Sequence, residues 1–258
     1  MSRALPPLDM HAHVAPDVAP QALEELGAVV FAVTRSLDEY EVALRRSDAV
    51  TVWGLGCHPG LATAQEDYDQ DRFAKLLQKA AFVGEVGLDG SSEVPIRQQE
   101  DTLTSVFTSI AATPRLTSVH SYRATKRVLD LIEDTKVEGI ILHWWLGSET
   151  ETRRAVELGC LFSVNSSMDV SGLKEAGAPL RSLLPETDHP SGNRRGESPR
   201  QPGHTLEVER SVASVFDVSE AIVRTQFWAT IARQTTVTNT LTLFPPVVQA
   251  MIQYAQWE

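Results

Sequence analysis

The sequence predicts an α/β protein of the (β/α)8 TIM-barrel type, and three observations lead there. Short apolar runs alternate with amphipathic helical patterns from end to end. Several of those runs are continuously apolar rather than alternating, as expected of strands covered on both faces. Six metal-competent side chains, His11, His13, Glu85, His120, His143 and Asp188, fall at the C-terminal ends of five predicted strands. In a barrel those ends share one face, whereas in an open doubly wound sheet they would be strung along an edge.

Taken in order, Leu5–Met10 is the first strand and leads into Asp9-Met10-His11-Ala12-His13. Alternation along a strand points His11 and His13 the same way, with Asp9 on that face too. Gln21–Leu26 is a short helix and Ala28–Val33 a strand. Ser36 is a good N-cap for a helix over Leu37–Arg46. Val50–Leu55 is the next strand, followed by Gly56-Cys57-His58-Pro59-Gly60. Asp71–Lys79 is helical, with Phe73, Leu76 and Leu77 on one face. Ala81–Val86 runs into Gly84-Glu85-Val86-Gly87-Leu88-Asp89-Gly90. Arg97–Ala112 is a long helix, and Leu116–Val119 leads to His120.

The second half repeats the rhythm. Ala124–Glu133 is a helix with Val128, Leu129 and Ile132 inward, and Gly139–Leu142 is a strand ending at His143. Glu149–Leu158 is a helix stopped by Gly159. Cys160–Val164 ends at Asn165, and Leu180–Leu184 leads to Pro185-Glu186-Thr187-Asp188-His189-Pro190. Ser171–Ala178 reads as neither helix nor loop with any clarity. Ser191–Gly203, rich in Pro, Gly and Arg, is a loop. Helical patterns over Leu206–Phe216, Ser219–Arg233 and Thr238–Phe244 close the chain.

The chain has 258 residues, 42% of them hydrophobic. That is enough for one barrel domain over residues 1–258, since such barrels use about 250 residues. No run approaches the roughly 20 apolar residues of a membrane span, and the start does not read as a secretory signal. Two cysteines, Cys57 and Cys160, make no disulfide framework, so a cytoplasmic location is the expectation. A net charge of −11 argues against coating nucleic acid by bulk electrostatics. It leaves a nuclease open, because bound cations reverse the field inside a single cleft.

Glu85, Asp188 and Asp9 crowded on one face would repel one another unless cations sit between them. The expectation is a site for two divalent metal ions, with Glu85 in a bridging position. Two metals about 3.5–4 Å apart activate a shared water and clamp a phosphate. Asp188 can hold a metal and take a proton from that water. Nitrogen and oxygen donors without thiolate suit Mg, Mn or Zn, and Fe as well. His58 can touch substrate phosphate or simply hold its tight His-Pro-Gly turn. Of Trp144 and Trp145, one can stack on bases and the other packs in the core. Arg194, Arg195 and Arg200 can neutralise a nucleic-acid backbone or lie solvated in their loop. His189 neighbours Asp188 and His204 is open, while Cys57 reads as a small buried residue.

These pieces resemble the TatD family of metal-dependent deoxyribonucleases within the amidohydrolase-like barrels. The resemblance rests on Asp9-x-His11-x-His13, Gly56-Cys57-His58-Pro59, Gly84-Glu85-Val86-Gly87-Leu88-Asp89, His120-Ser121, His143 with Gly147-Ser148, Glu186-Thr187-Asp188-x-Pro190 and Asn239 before Leu243-Phe244. It implies His11, His13 and Asp188 on one metal, His120 and His143 on the other, and Glu85 bridging. It also implies hydrolysis of DNA phosphodiesters, commonly from a 3′ end. Gly87-Leu88-Asp89-Gly90-Ser91, Leu142-His143-Trp144 and Gly159–Val164 look most like the TatD-like member of the Qat anti-phage defence systems, which implies partner proteins encoded beside it. The chain departs from the family where an Arg usually follows the metal-binding His by two residues: Tyr122 stands there, with Arg123 next. A second departure is His143-Trp144-Trp145-Leu146-Gly147, where the family has His-Cys-Phe-Ser-Gly. The alternatives are an amidohydrolase or lactonase on the same barrel and a non-catalytic member of a defence complex. Barrel amidohydrolases often bridge their metals with a lysine-derived carboxylate, so Glu85 favours the TatD branch.

Overall fold

A computed structural model describes residues 5–193 and 200–256. Eight parallel strands pair in sequence order: β1 (Leu8–Ala12), β2 (Val29–Val33), β3 (Thr51–Leu55), β4 (Phe82–Gly87), β5 (Leu116–His120), β6 (Ile140–His143), β7 (Leu161–Val164) and β8 (Leu183–Pro185). Every residue of β2, Val-Val-Phe-Ala-Val, is buried, which is why such strands read as unbroken apolar runs. The barrel is nearly closed. Its seam is made at the rim, where Asp188 N–H donates to His11 O at 2.8 Å and His13 N–H to His189 O at 3.0 Å. Ala12 and His189 form a parallel bridge there.

Helices cover the outside: α1 (Pro20–Glu24), α2 (Leu37–Ala43), α3 (Ala62–Glu66), α4 (Gln70–Leu77), α5 (Ile96–Ala112), α6 (Thr125–Thr135), α7 (Glu149–Glu157), α8 (Val170–Glu175), α9 (Leu206–Phe216), α10 (Glu220–Thr238) and α11 (Pro246–Ala255). Ser36 caps α2 by accepting from Glu39 N–H at 3.1 Å, and Ser148 with Glu151 forms a capping box on α7. Phe31 in β2 meets Phe82 in β4 edge-to-face, with ring centroids 5.1 Å apart. Burying a side chain of that size contributes roughly 1.5–3 kcal/mol.

Some boundaries differ from the sequence reading. β1 begins three residues later than expected, because Pro6 and Pro7 cannot donate to a ladder. Its later end takes in His11. Leu180–Ser182 forms a 3-10 turn, so β8 is only Leu183–Pro185. The helix expected over Thr238–Phe244 is not there. α10 runs on to Thr238 and ends at Asn239, whose φ of 52° is left-handed. Only a 3-10 turn at Leu241–Leu243 follows. α11 was not anticipated; Pro246 occupies its first helical turn, where its missing N–H costs nothing.

Candidate metal centre

The strand ends bring all six expected donors together. His11 lies in β1 and His13 just past it, Glu85 lies in β4, His120 and His143 end β5 and β6, and Asp188 follows β8. Gly87 permits the close approach of β4 and β5. Its φ is +143°, and a Cβ there would stand 2.1 Å from His120 O.

Glu85 is the hub and is almost fully buried. Its Oε1 lies 2.7 Å from His120 Nδ1 and 3.0 Å from His143 Nε2. Its Oε2 lies 3.2 Å from His13 Nε2, 3.3 Å from His58 Nε2 and 3.7 Å from His11 Nε2. Asp188 Oδ1 stands 3.8 Å from His11 Nε2 and 3.7 Å from His13 Nε2. The rings of His11 and His143 stack at 4.0 Å, so the two halves of the cluster interlock. Three overlapping sets each place their donor atoms within 4.8 Å of one another: His11, His143 and Asp188; His11, His13 and Glu85; Glu85, His120 and His143.

The donor set fits a divalent cation. His11 Nε2, Glu85 Oε2 and His120 Nε2 are buried without a hydrogen-bond partner among the described residues. A buried polar atom left this way costs about 1–3 kcal/mol, which coordination would recover. The surroundings also orient the donors. Ser118 Oγ lies 2.7 Å from His11 Nδ1, leaving Nε2 to face the cluster. Burial would lower His143 and His13, but the Glu85 carboxylate outweighs it and both are raised. For His11, burial and the neighbouring His143 prevail, and its pKa is lowered well below the usual value. Burial, opposed by His143 and reinforced by Glu186 and Glu85, pushes Asp188 up to about 7.

Glu186 was missed in the sequence. It is fully buried just past the end of β8. It accepts from Ser163 Oγ, from Asn165 Nδ2 at 3.0 Å and from the backbone N–H of Trp144 at 3.1 Å. Its Oε2 stands 3.8 Å from His143 Nδ1. The only signal was its place two residues before Asp188 in Glu186-Thr187-Asp188.

Asp9 does not join the donors. Its carboxylate accepts from Thr187 N–H at 2.8 Å, Thr187 Oγ1 at 2.6 Å and Gly203 N–H at 2.8 Å. The β1–β2 register slips between Asp9 and Ala12, so the simple alternation from Asp9 to His11 fails.

A cavity of about 410 Å³ opens over the cluster, and His58, Tyr122, Trp144 and Leu146 are on its wall. Arg123 and His189 are not. Arg123 stands outside with its guanidinium over the Tyr122 ring, 5.3 Å from the centroid. His189 Nδ1 pairs with Asn193 Nδ2 at 3.2 Å. Exposed His204 pairs with Gln201 at 2.7 Å. Arg194 and Arg195 lie outside the described residues. Trp145 is buried, with Nε1–H donating to Thr152 Oγ1 at 2.8 Å. Cys57 is buried too. No helix among the described residues is long and apolar enough to cross a membrane.

Comparison with known proteins agrees with the fold. The chain matches the family described as TatD related DNase over residues 8–235. The human protein named Deoxyribonuclease TATDN3 is 25% identical, across 92% of this chain and 94% of its own. The crystal structure of YJJV, a TatD homologue from Escherichia coli K12, superposes with a TM-score of 0.74 at 19% identity, covering 90% of this chain and 96% of that one. A TatD family hydrolase from Entamoeba histolytica gives 0.72 at 16% identity, covering 90% and 99%.

Proposed function

This chain belongs to the TatD related DNase family, and from that premise we propose that it is a metal-dependent deoxyribonuclease acting at the Glu85 cluster. The observation that carries this is the division of Glu85. One oxygen faces His120 and His143, and the other faces His11 and His13. A carboxylate placed so is suited to bridge two cations. His11, His13 and Asp188 would hold one, and His120 with His143 the other. When bound, a pair of Mg, Mn or Zn ions supplies Lewis acidity at the phosphodiester and a water that ionises near neutral pH.

The chain's own groups do the rest. Asp188 lines the cavity beside His11 and can accept the proton of the attacking water. His58 faces the same space and can donate a hydrogen bond to a phosphate oxygen. Ser118 holds the His11 ring at Nδ1, so that Nε2 is the nitrogen turned to the cluster. A place in an anti-phage defence system is a separate reading, resting on the sequence resemblance alone.

The test is hydrolysis of end-labelled single-stranded and duplex DNA with Mg, Mn or Zn. The expected result is metal-dependent cleavage, abolished by chelation and reduced at least about 100-fold in Glu85→Gln and Asp188→Asn. The product ladder separates exonucleolytic from endonucleolytic cutting. Wild-type protein that binds metal yet cuts neither DNA overturns the substrate assignment and turns attention to amide and lactone substrates.

A further inference from the structure

Beside the donor cluster, the cavity wall carries apolar side chains that stand apart from the core. Tyr122 is 40% exposed and Leu146 58% exposed. Trp144 is half-buried. All three line the cavity. None of them belongs to the apolar clusters of the described core, nor to the residues packed against those clusters. Their neighbour Trp145 shows the contrast. It packs on Phe162 at 6.2 Å, and Gly147 makes room for it, since a Cβ there would stand 2.1 Å from the indole ring. With Trp145 anchored inward, Trp144 and Leu146 are left on the cavity side.

The backbone holds them there. Trp144 has a φ of 40°, an uncommon conformation for so bulky a residue. Its N–H is tied to the buried Glu186. Tyr122 is braced by the Arg123 guanidinium on its ring and by Gly90 N–H donating to its carbonyl at 2.8 Å. The cavity is therefore lined by two chemically different groups of side chains. One offers metal donors and His58, suited to a phosphate. The other offers two aromatic rings and an aliphatic side chain.

We propose that Tyr122, Trp144 and Leu146 form a shelf on which an unpaired nucleobase stacks next to the phosphate bound at the cluster. This deepens the phosphodiesterase reading above and rests on it. A base inside a duplex has both faces covered by its stacked neighbours, so the shelf takes a base that has left the helical stack and with it its partner. Stacking needs only a π-face, so it accepts any of the four bases. It also suits a chain of net charge −11, which attracts a nucleic-acid backbone weakly and must gain affinity from the base.

The test is calorimetric titration of the metal-loaded full chain with two probes, 2′-deoxyadenosine 5′-monophosphate and 2-deoxyribose 5-phosphate. Wild type is expected to bind the nucleotide roughly tenfold to hundredfold more tightly, the value of one stacked base. Trp144→Ala should bring that ratio near one, and Trp144→Phe should retain most of it. The sugar phosphate should bind both variants and wild type alike. A wild-type ratio near one, or a Trp144→Ala variant that weakens both probes equally, overturns the shelf. DNA cleavage with a ratio near one removes the shelf and leaves the nuclease. A large ratio that depends on Trp144, without DNA cleavage, leaves the shelf and removes the nuclease.

Discussion

His58 Nδ1 accepts the backbone N–H of Gly60 at 3.0 Å, and that contact decides what the other ring nitrogen can do. Burial lowers the pKa of His58, which keeps the ring neutral. A neutral imidazole whose Nδ1 is an acceptor carries its proton on Nε2. That atom faces Glu85 Oε2 at 3.3 Å. His58 is therefore built to donate into the site, whereas a ligating imidazole must present a lone pair.

The expected outcome for His58→Ala is full metal content with hydrolysis lowered about 10²–10³-fold, as for loss of one donor to a reacting phosphate. Elemental analysis of the purified variant beside its kcat separates the two effects. Loss of a metal equivalent would make His58 a ligand and refute the tautomer argument.

The opposite outcome is expected at Asp9, despite its place in the His-x-His motif. Its carboxylate accepts three donors from the far side of the barrel seam, two on Thr187 and one on Gly203. Asp9→Ala leaves those donors buried and unpaired, at a cost of roughly 2–4 kcal/mol. Urea unfolding should show that loss, while the folded variant keeps its metal. Unchanged stability with lost metal would return Asp9 to the donor set.

Asp9 also shows where sequence reasoning stopped. The period-two rule works where strand geometry is regular, so the apolar runs gave the eight strands and the polar residues at their ends gave the face. It fails at the register slip between Asp9 and Ala12. It fails again past β8, where Asp188 takes a φ of 40° and turns away from the path set by Glu186. Two acids two residues apart thus diverge, Glu186 buried behind His143 and Asp188 facing the cavity. Nothing in the spacing distinguishes them. The choice between Trp144 and Trp145 was equally closed, because it depends on the space that Gly147 leaves for one indole.

The cysteines give a prediction of a different kind. Burial pushes the thiols of Cys57 and Cys160 up to about 12. Cys57 Sγ also donates to Ala64 O at 3.3 Å. The thiolate is the reactive form, so at pH 8 only about one native thiol in 10⁴ is ionised, against a far larger share in the unfolded chain. A thiol reagent at pH 8 should label neither cysteine in the native protein and both in guanidinium. The sign of the linkage follows. The folded pKa lies above the unfolded value, so the unfolded state loses protons first as pH rises past about 9. Stability is full below that pH and declines toward pH 12, and urea midpoints at pH 8, 9 and 10 should fall in that order. Replacing both cysteines with Ala should flatten part of that decline, with the half-buried Tyr68, also pushed to about 12, supplying some of the remainder. Rapid native labelling of Cys57 with loss of hydrolysis would instead make it an accessible, ionisable group at the site.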